Sequence, residues 1–425
     1  MTTAHPTGAR ESGWLPDCVY TGGRLETGLA FFADPLGRIT RFSREPADLA
    51  AARRLNGMAA LPGMVDTCAH VLARVQRGRT IAGASQAWTP HEVRDVAKMA
   101  FVEMLLSGVS CVAAFHRVGA DPGELEASAR EVMRAAHEVG IRLTLCPVAT
   151  ATLPADAYLR VMEAVRVHVA REHPGDEFWL GAAIDQAGAL PADQLKAIGA
   201  YAHAQRLRVL VPLASSAREA ETCIAQTGRR PFDLLAGQGL VDKRLVAVNA
   251  STLSGDEVKA LGAARAAVCV CPADAQSDDG PPADLDALQA AGATIAFGSG
   301  TMRQGNLLDA ARQVPGRMRH PSSAERAARL FAALTVGGAR SLGAPSGALE
   351  VGRPADFFTV NLYDPSIAGA APEGLLEAIV FSLERRGVRD VWIGGRQRLA
   401  GGRHAQQGPV VARFVEVAQK LGAAD

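Results

Sequence analysis

The sequence predicts an α/β protein: a (β/α)8 TIM-like barrel over residues 61–344, beside a small β-sandwich assembled from both chain ends, 1–60 and 345–425. Three observations predict it. Strand-like apolar runs alternate with helical ones about eight times through the middle of the chain, which is the parallel α/β pattern. Those strand runs are almost continuously apolar, as strands buried on both faces must be. The two ends carry short apolar runs broken by turns, and each end has too few strands to bury a core alone. Eight units from one segment favour a closed barrel over an open sheet.

The elements follow in order. The opening stretch holds CVYTGG, LAFFADPLGRITRF and MAALPGMVD. Asp34-Pro35-Leu36-Gly37 between two apolar runs is a hairpin signal. From Leu61 the character changes. VSCVAAFH (109–116) precedes a helix at about 123–139, then IRLTLCPVAT (141–150). WLGAAIDQ (179–186) precedes a helix at about 191–205, then LRVLVPLA (207–214). RLVAVNAS (244–251) precedes a helix starting near Ser254. AAVCVCPA (266–273) precedes a helix at 284–291, then TIAFGSG (294–300) and a helix at 323–342. After Ser346, SGALEVGRPADFFTVNL and VRDVWIGGRQRLAGGRH read as strands and tight turns, with IAGAAPEG (367–374) a loop.

Composition narrows the function classes. The chain has 425 residues, of which 48% are apolar, enough for a large core and without the signature of disorder. Net charge is +1, with Lys and Arg spread along the chain, so neither nucleic acid nor a membrane surface is an expected partner. Aromatic residues make up only 5%, which argues against a base-stacking surface. No run of about 18 apolar residues would span a bilayer. The opening MTTAHPTGARESGW lacks the apolar core of a signal peptide. Seven cysteines, an odd number, do not read as a disulfide framework. Cytoplasmic localisation is the expectation. Cys269 and Cys271 are read as small buried residues on opposite faces of one strand.

Six stretches, in three groups, carry a family resemblance. LPGMVDTCAHVLARVQRG (61–78) is similar to the opening motif of amidohydrolases, in which a strand ends in His-x-His. FVEMLLSGVSCVAAFH (101–116), IRLTLCPV (141–148) and TGRRPFDLL (227–235) resemble the formimidoylglutamate deiminase branch. GALEVGRPADFFTVN (347–361) with VRDVWIGGRQRLAGGRH (388–404) looks like the C-terminal sandwich of the same superfamily. The resemblance implies a barrel whose strand ends hold one divalent metal, zinc in the family. The metal activates a water that attacks an imine carbon and displaces ammonia. That chemistry needs imidazole and carboxylate ligands with an open metal position, and a general acid.

The implied site residues depart from this pattern almost everywhere. Where the first strand should offer His-x-His, the chain has Cys68-Ala69-His70, so His70 is the only ligand kept in place and type. Pro212 stands at the next implied ligand position and Ser215 at the general acid. Asn249 stands where a His should contact the attacking water; Asn cannot take its proton. Gly300 replaces the carboxylate that binds metal and activates water. Among implied substrate residues, Asp185 replaces a His, Gly188 an Arg, Ala73 a Gln and Arg117 a Tyr. Losing one catalytic group typically costs a factor of about 10² to 10⁴ in rate. Zinc is therefore expected to be absent, and no cofactor is expected.

What remains is a remnant pocket of Cys68, His70, Asp185, Asn249 and Ser215. Cys68, His70 and Asp185 allow two readings, a Cys–His–Asp nucleophilic constellation or the lining of a leftover cavity. His116 reads either as an oriented structural histidine or, with Arg117 and Arg303, as part of a site for a small anionic ligand. Three functions stay open: a non-catalytic homologue acting as a homodimer or paired with an active relative, an enzyme with metal-independent chemistry in the old pocket, and a residual metal-dependent C–N hydrolase.

Overall fold

The computed structural model describes residues 11–78, 88–117, 119, 121–173, 175–275, 283–302, 305–314 and 322–422. Arg303 lies outside them. Among the described residues eighteen strands form two sheets. The first five are β1 (Ser12–Thr21), β2 (Arg24–Thr27), β3 (Ala30–Ala33), β4 (Ile39–Ser43) and β5 (Arg53–Pro62). The barrel follows as β6 (Met64–Ala69), β7 (Val109–His116), β8 (Arg142–Ala149), β9 (Phe178–Leu180), β10 (Ala182–Ile184), β11 (Val209–Leu213), β12 (Leu245–Asn249), β13 (Ala267–Val270) and β14 (Thr294–Phe297). The last four are β15 (Phe357–Asn361), β16 (Val388–Ile393), β17 (Arg396–Ala400) and β18 (Arg403–His404).

Strands β6 to β14 pair in parallel. An isolated bridge between Ala69 and Gly300 joins the last strand to the first. β9 and β10 are one barrel strand interrupted at Gly181, where a Cβ would lie 2.7 Å from the Cys146 sulfur. Alternate residues face inward, among them Cys111, Cys146, Leu210, Val246 and Cys269. Their neighbours Val112, Leu145, Val211 and Val268 pack outward with the helices. Cys269 and Cys271 lie in the same interior cluster. This corrects the expectation that they point apart, because strand side chains repeat every second residue and positions i and i+2 share a face. Both are buried, as expected.

Local chemistry places the helices. Thr89 and Ser254 cap Pro90–Leu106 and Gly255–Ala263 through capping boxes with Glu92 and Glu257, satisfying backbone donors that a helix start leaves free. The predicted helix at 323–342 is one continuous run whose centre, Ala333–Gly337, widens into a π turn. There a Cβ on Gly337 would stand 2.3 Å from the Ile295 carbonyl oxygen.

Both chain ends build the second, mixed sheet. β5 runs parallel to β1 and antiparallel to β15, so it joins the two flanks. The Asp34–Gly37 hairpin forms as predicted between β3 and β4. Asp34 Oδ1 accepts from the Leu36 and Arg38 amides at 2.9 Å, and Gly37 takes φ +78°. Trp14, Phe31, Phe357 and Trp392 form an aromatic core, Phe357 stacking on Trp392 at 4.5 Å.

The second flank also carries helices that the strand-and-turn reading did not foresee. Leu375–Ser382 and Gln407–Gly422 follow the barrel. Val410, Phe414, Val417 and Leu421 recur at helical spacing. Val417, Ala418 and Leu421 bury against Val75 and Val96 of the barrel's first βα unit.

The barrel and the mixed sheet are tied at the barrel's base. Arg142 Nε donates to Asp356 Oδ2 at 2.6 Å and Nη2 to Oδ1 at 3.0 Å. Ser346 Oγ and the Gly394 amide complete the carboxylate's partners at 2.8 and 2.7 Å. Both charged residues are at most 2% exposed. Among the described residues no helix is long and apolar enough to cross a membrane.

Candidate functional site

The strand C-termini define the mouth, and β6 leads into it. Asp66, buried beneath the mouth, accepts from the Ser299 amide at 3.0 Å and the Cys68 amide at 3.3 Å. Burial pushes its carboxyl up to about 7. The Gly300 amide donates to the Cys68 carbonyl at 2.9 Å and the His70 amide to the Gly300 carbonyl at 2.8 Å. This close approach needs glycine at 298, where a Cβ would sit 2.6 Å from the Cys68 carbonyl oxygen.

With no side chain at Gly298, Cys68 reaches across β14 to the thiols of Cys269 and Cys271. Contact with Cys269, and then burial, holds the Cys68 thiol well above its ordinary range. Burial does the same to Cys269. Thiols raised in this way stay protonated and make poor nucleophiles. The side chain of Cys68 therefore belongs to a sulfur-lined floor of the barrel interior.

His70 stands above that floor, half-buried, with its ring 5.2 Å from Phe115. Burial holds the imidazole below its usual value, opposed by the negative charges of Asp274 and Asp185 and reinforced by Arg117. Its neutral form thus prevails near neutral pH. Arg117 Nη1 lies 3.1 Å from Asp185 Oδ1. The arginine singled out for an anionic ligand already has an anion, supplied by the chain.

Asp274 is the mouth residue that sequence reasoning missed. It lies on the short helix Pro272–Ala275 after β13. Its carboxylate accepts from the Thr301 amide at 3.0 and 3.2 Å and from the Thr301 hydroxyl. A Cβ on Gly300 would stand 1.9 Å from Asp274 Oδ2, and Gly300 itself takes φ +55°. The space above residue 300 is therefore filled by a carboxylate from the neighbouring strand's loop. Only the Asp in CPAD could have hinted at this, and no spacing rule links it to a glycine 26 residues on.

The remaining positions scatter. Pro212 lies two residues beyond inward Leu210 on β11, so it shares that inward face, and it is half-buried. Ser215 donates its amide to Glu219 Oε2 at 2.7 Å, and its hydroxyl lies 3.5 Å from the Val248 carbonyl oxygen. It shapes the loop before helix Ala217–Thr227. Asn249, at φ +66°, accepts the Cys271 amide on Oδ1 at 3.0 Å. It ties the end of β12 to the turn that carries Asp274. Asn tolerates this left-handed backbone better than most residues.

His116 faces away from the mouth. It is fully buried, with Nε2 2.7 Å from Ser128 Oγ on the helix Pro122–Val139. Burial lowers its imidazole to about 4. The structure thus gathers His70, Asp185, Arg117 and Asp274 at the mouth, puts Cys68 beneath them, and leaves Ser215, Asn249 and His116 in supporting roles. Among the described residues, no three His, Cys, Asp or Glu side chains are disposed to hold a metal ion.

Comparison with known proteins places this geometry in a family. The amidohydrolase family model matches residues 59–398. A formimidoylglutamate deiminase from Pseudomonas aeruginosa is 30% identical, with 89% of this chain and 92% of that protein covered. A 5-methylthioadenosine/S-adenosylhomocysteine deaminase from Teredinibacter turnerae is 25% identical, covering 86% and 85%. The crystal structure of an adenosine deaminase from Xanthomonas campestris, solved with bound zinc, superposes with a TM-score of 0.83 at 20% identity over 97% of this chain and 98% of that one. The match runs from β5 through the whole barrel into β17, and the chain belongs to the amidohydrolase family.

Proposed function

We propose that this chain is a non-catalytic amidohydrolase that no longer runs the zinc-dependent deiminase reaction of its relatives. The observation that carries the reading is at Gly300. The resemblance implies a metal-binding carboxylate on that residue, and the space its side chain would need holds the Asp274 carboxylate. Both Asp274 oxygens face the Thr301 amide, which draws their electron density toward the backbone. Pro212 offers no donor atom, and the Asn249 carbonyl oxygen is held by the Cys271 amide. The donor set therefore fits zinc poorly, since a catalytic site needs about three protein ligands and an open position.

In this reading the barrel serves as a scaffold that pairs with a second copy of itself or with an active relative in the cytoplasm. Two measurements test it. Ammonia release from N-formimidoylglutamate, with and without added zinc, should match a heat-killed control. Elemental analysis should find no stoichiometric metal. Turnover above the control, or about one zinc per chain that disappears in His70→Ala, overturns the proposal.

A second reading has its own support. His70 is neutral, half-buried and flanked by Asp274 and Asp185, which is the setting of a general base. It supports a ligand pocket, or metal-independent chemistry, at the same mouth. A small anion would have to take Arg117 from Asp185. Chemical-shift changes confined to His70 and Arg117 on adding small carboxylates would favour this second reading.

A further inference from the structure

The end of the barrel opposite the mouth carries a cavity. At the N-terminal ends of β9 and β11 to β14 lies a hollow of about 1160 Å³, lined by Trp179, Arg206, Arg208, Lys243, Arg265 and Arg340. Five cations thus meet around one concavity in a chain whose net charge is only +1. One more arginine at its edge, Arg244, is paired with Asp242. Arg208 is held by backbone oxygens of Lys243 and Arg340. The side chains of Arg206, Lys243, Arg265 and Arg340 meet no carboxylate among the described residues. Arginines elsewhere are mostly paired, as at Glu103, Glu257 and Asp356.

Backbone conformation adds an independent observation. Arg206 and Arg265 take φ +56° and +53°. Each follows a helix, Ala192–Ala204 and Gly255–Ala263, as the chain turns into β11 and β13. Glycine normally fills such left-handed positions, because a Cβ is disfavoured there. This chain uses glycine at other left-handed helix ends, among them Gly140, Gly228, Gly292 and Gly343. Gly292 and Gly343 also border the cavity, so the fold accepts glycine there, and arginine at residues 206 and 265 is the costlier choice.

We infer that this cavity binds a small polyphosphate, a molecule carrying three or more negative charges. The concave shape fits a small molecule better than a polymer. Guanidinium forks match phosphate oxygens in pairs, and a cleft lined by one sign of charge concentrates such anions. The half-buried Trp179 offers an apolar edge for the remainder of a phosphorylated ligand. The inference concerns the face opposite the mouth and is independent of whether the mouth is active.

Isothermal titration of the full chain with tripolyphosphate and with ATP tests it. Both should bind saturably, and sodium sulfate at matched ionic strength should compete at least tenfold less well. The double variant Arg206→Gly, Arg265→Gly should weaken binding at least tenfold. Its melting temperature should hold or rise, since glycine suits both backbone positions. Lys243→Ala, an exposed change, should weaken binding in the same direction. Absence of saturable binding, unchanged affinity in the double variant, or equal competition by sulfate would overturn the inference.

Discussion

At the base of the barrel Arg142 meets Asp356, and at the mouth Arg117 meets Asp185. The two pairs share a chemistry and differ in setting. The basal pair is buried, with its carboxylate also held by Ser346 Oγ and the Gly394 amide. The mouth pair touches at 3.1 Å with side chains 61% and 34% exposed. Water screens the second and cannot reach the first. The basal charges sit on the family's RPAD segment and on IRLTLCPV, both legible as resemblance. The mouth charges sit where the resemblance fails. The architecture is thus anchored by a buried pair at one end, while the pair at the other is open to water.

The largest expected effect is at the base. Asp356→Ala leaves the buried Arg142 Nε and Nη2 without a partner and the guanidinium with Asp176 alone, and should cost about 3 kcal/mol or more, read from denaturant unfolding. A loss below about 1 kcal/mol would erase the distinction between the two ends.

Next in size is a pH effect at His116, which ends β7 and is buried against the helix Pro122–Val139. Burial lowers its folded pKa to about 4 from an ordinary 6.5. Between those values the unfolded chain takes up a proton that the folded chain refuses. This contribution is therefore fully present above about pH 6.5 and is lost as pH falls through 4, by about 3 kcal/mol. Unfolding curves from pH 7 to 4 should show that slope, and His116→Gln should remove it. An unchanged slope in the variant would place the titration elsewhere.

Gly300→Ala should cost about 1–3 kcal/mol, from a left-handed backbone and a crowded Asp274. Adding Asp274→Ala should recover part of the loss, because the clash goes and the backbone strain stays. Equal losses in the single and double variants would mean that Asp274 does not own that space. Smallest of all, Arg117→Ala should change stability by less than about 1 kcal/mol. A larger loss in a thermal melt would mean that the mouth pair is structural too.

The barrel was legible because a closed parallel sheet needs apolar strands at regular spacing, and VSCVAAFH, LRVLVPLA and RLVAVNAS supply them. The hairpin at Asp34–Gly37 was legible because its turn chemistry is local. The helix Gln407–Gly422 is masked in the sequence by the turn-rich segment before it, although a helical period runs from Val410 to Leu421. The mouth was legible only as absences. Pro212 and Gly300 announce what the resemblance lacks, but nothing local announces that Asp274 folds over Gly300. Nor does the strand run reveal that Cys68 meets Cys269 across a glycine. Contacts between distant segments are set by closure of the barrel, which no window of sequence contains.

The Arg142–Asp356 pair also has a history within each molecule's own lifetime. As the ribosome emits the chain, Arg142 leaves the exit tunnel 214 residues before its partner. Until Asp356 emerges, closing the barrel would bury a guanidinium answered only by the part-exposed Asp176. The two-pronged pairing of Arg142 Nε and Nη2 therefore waits for the C-terminal strands, and closing the barrel earlier would leave that half of the guanidinium unpaired. A ribosome stalled before residue 356 should carry a chain that proteases still cut.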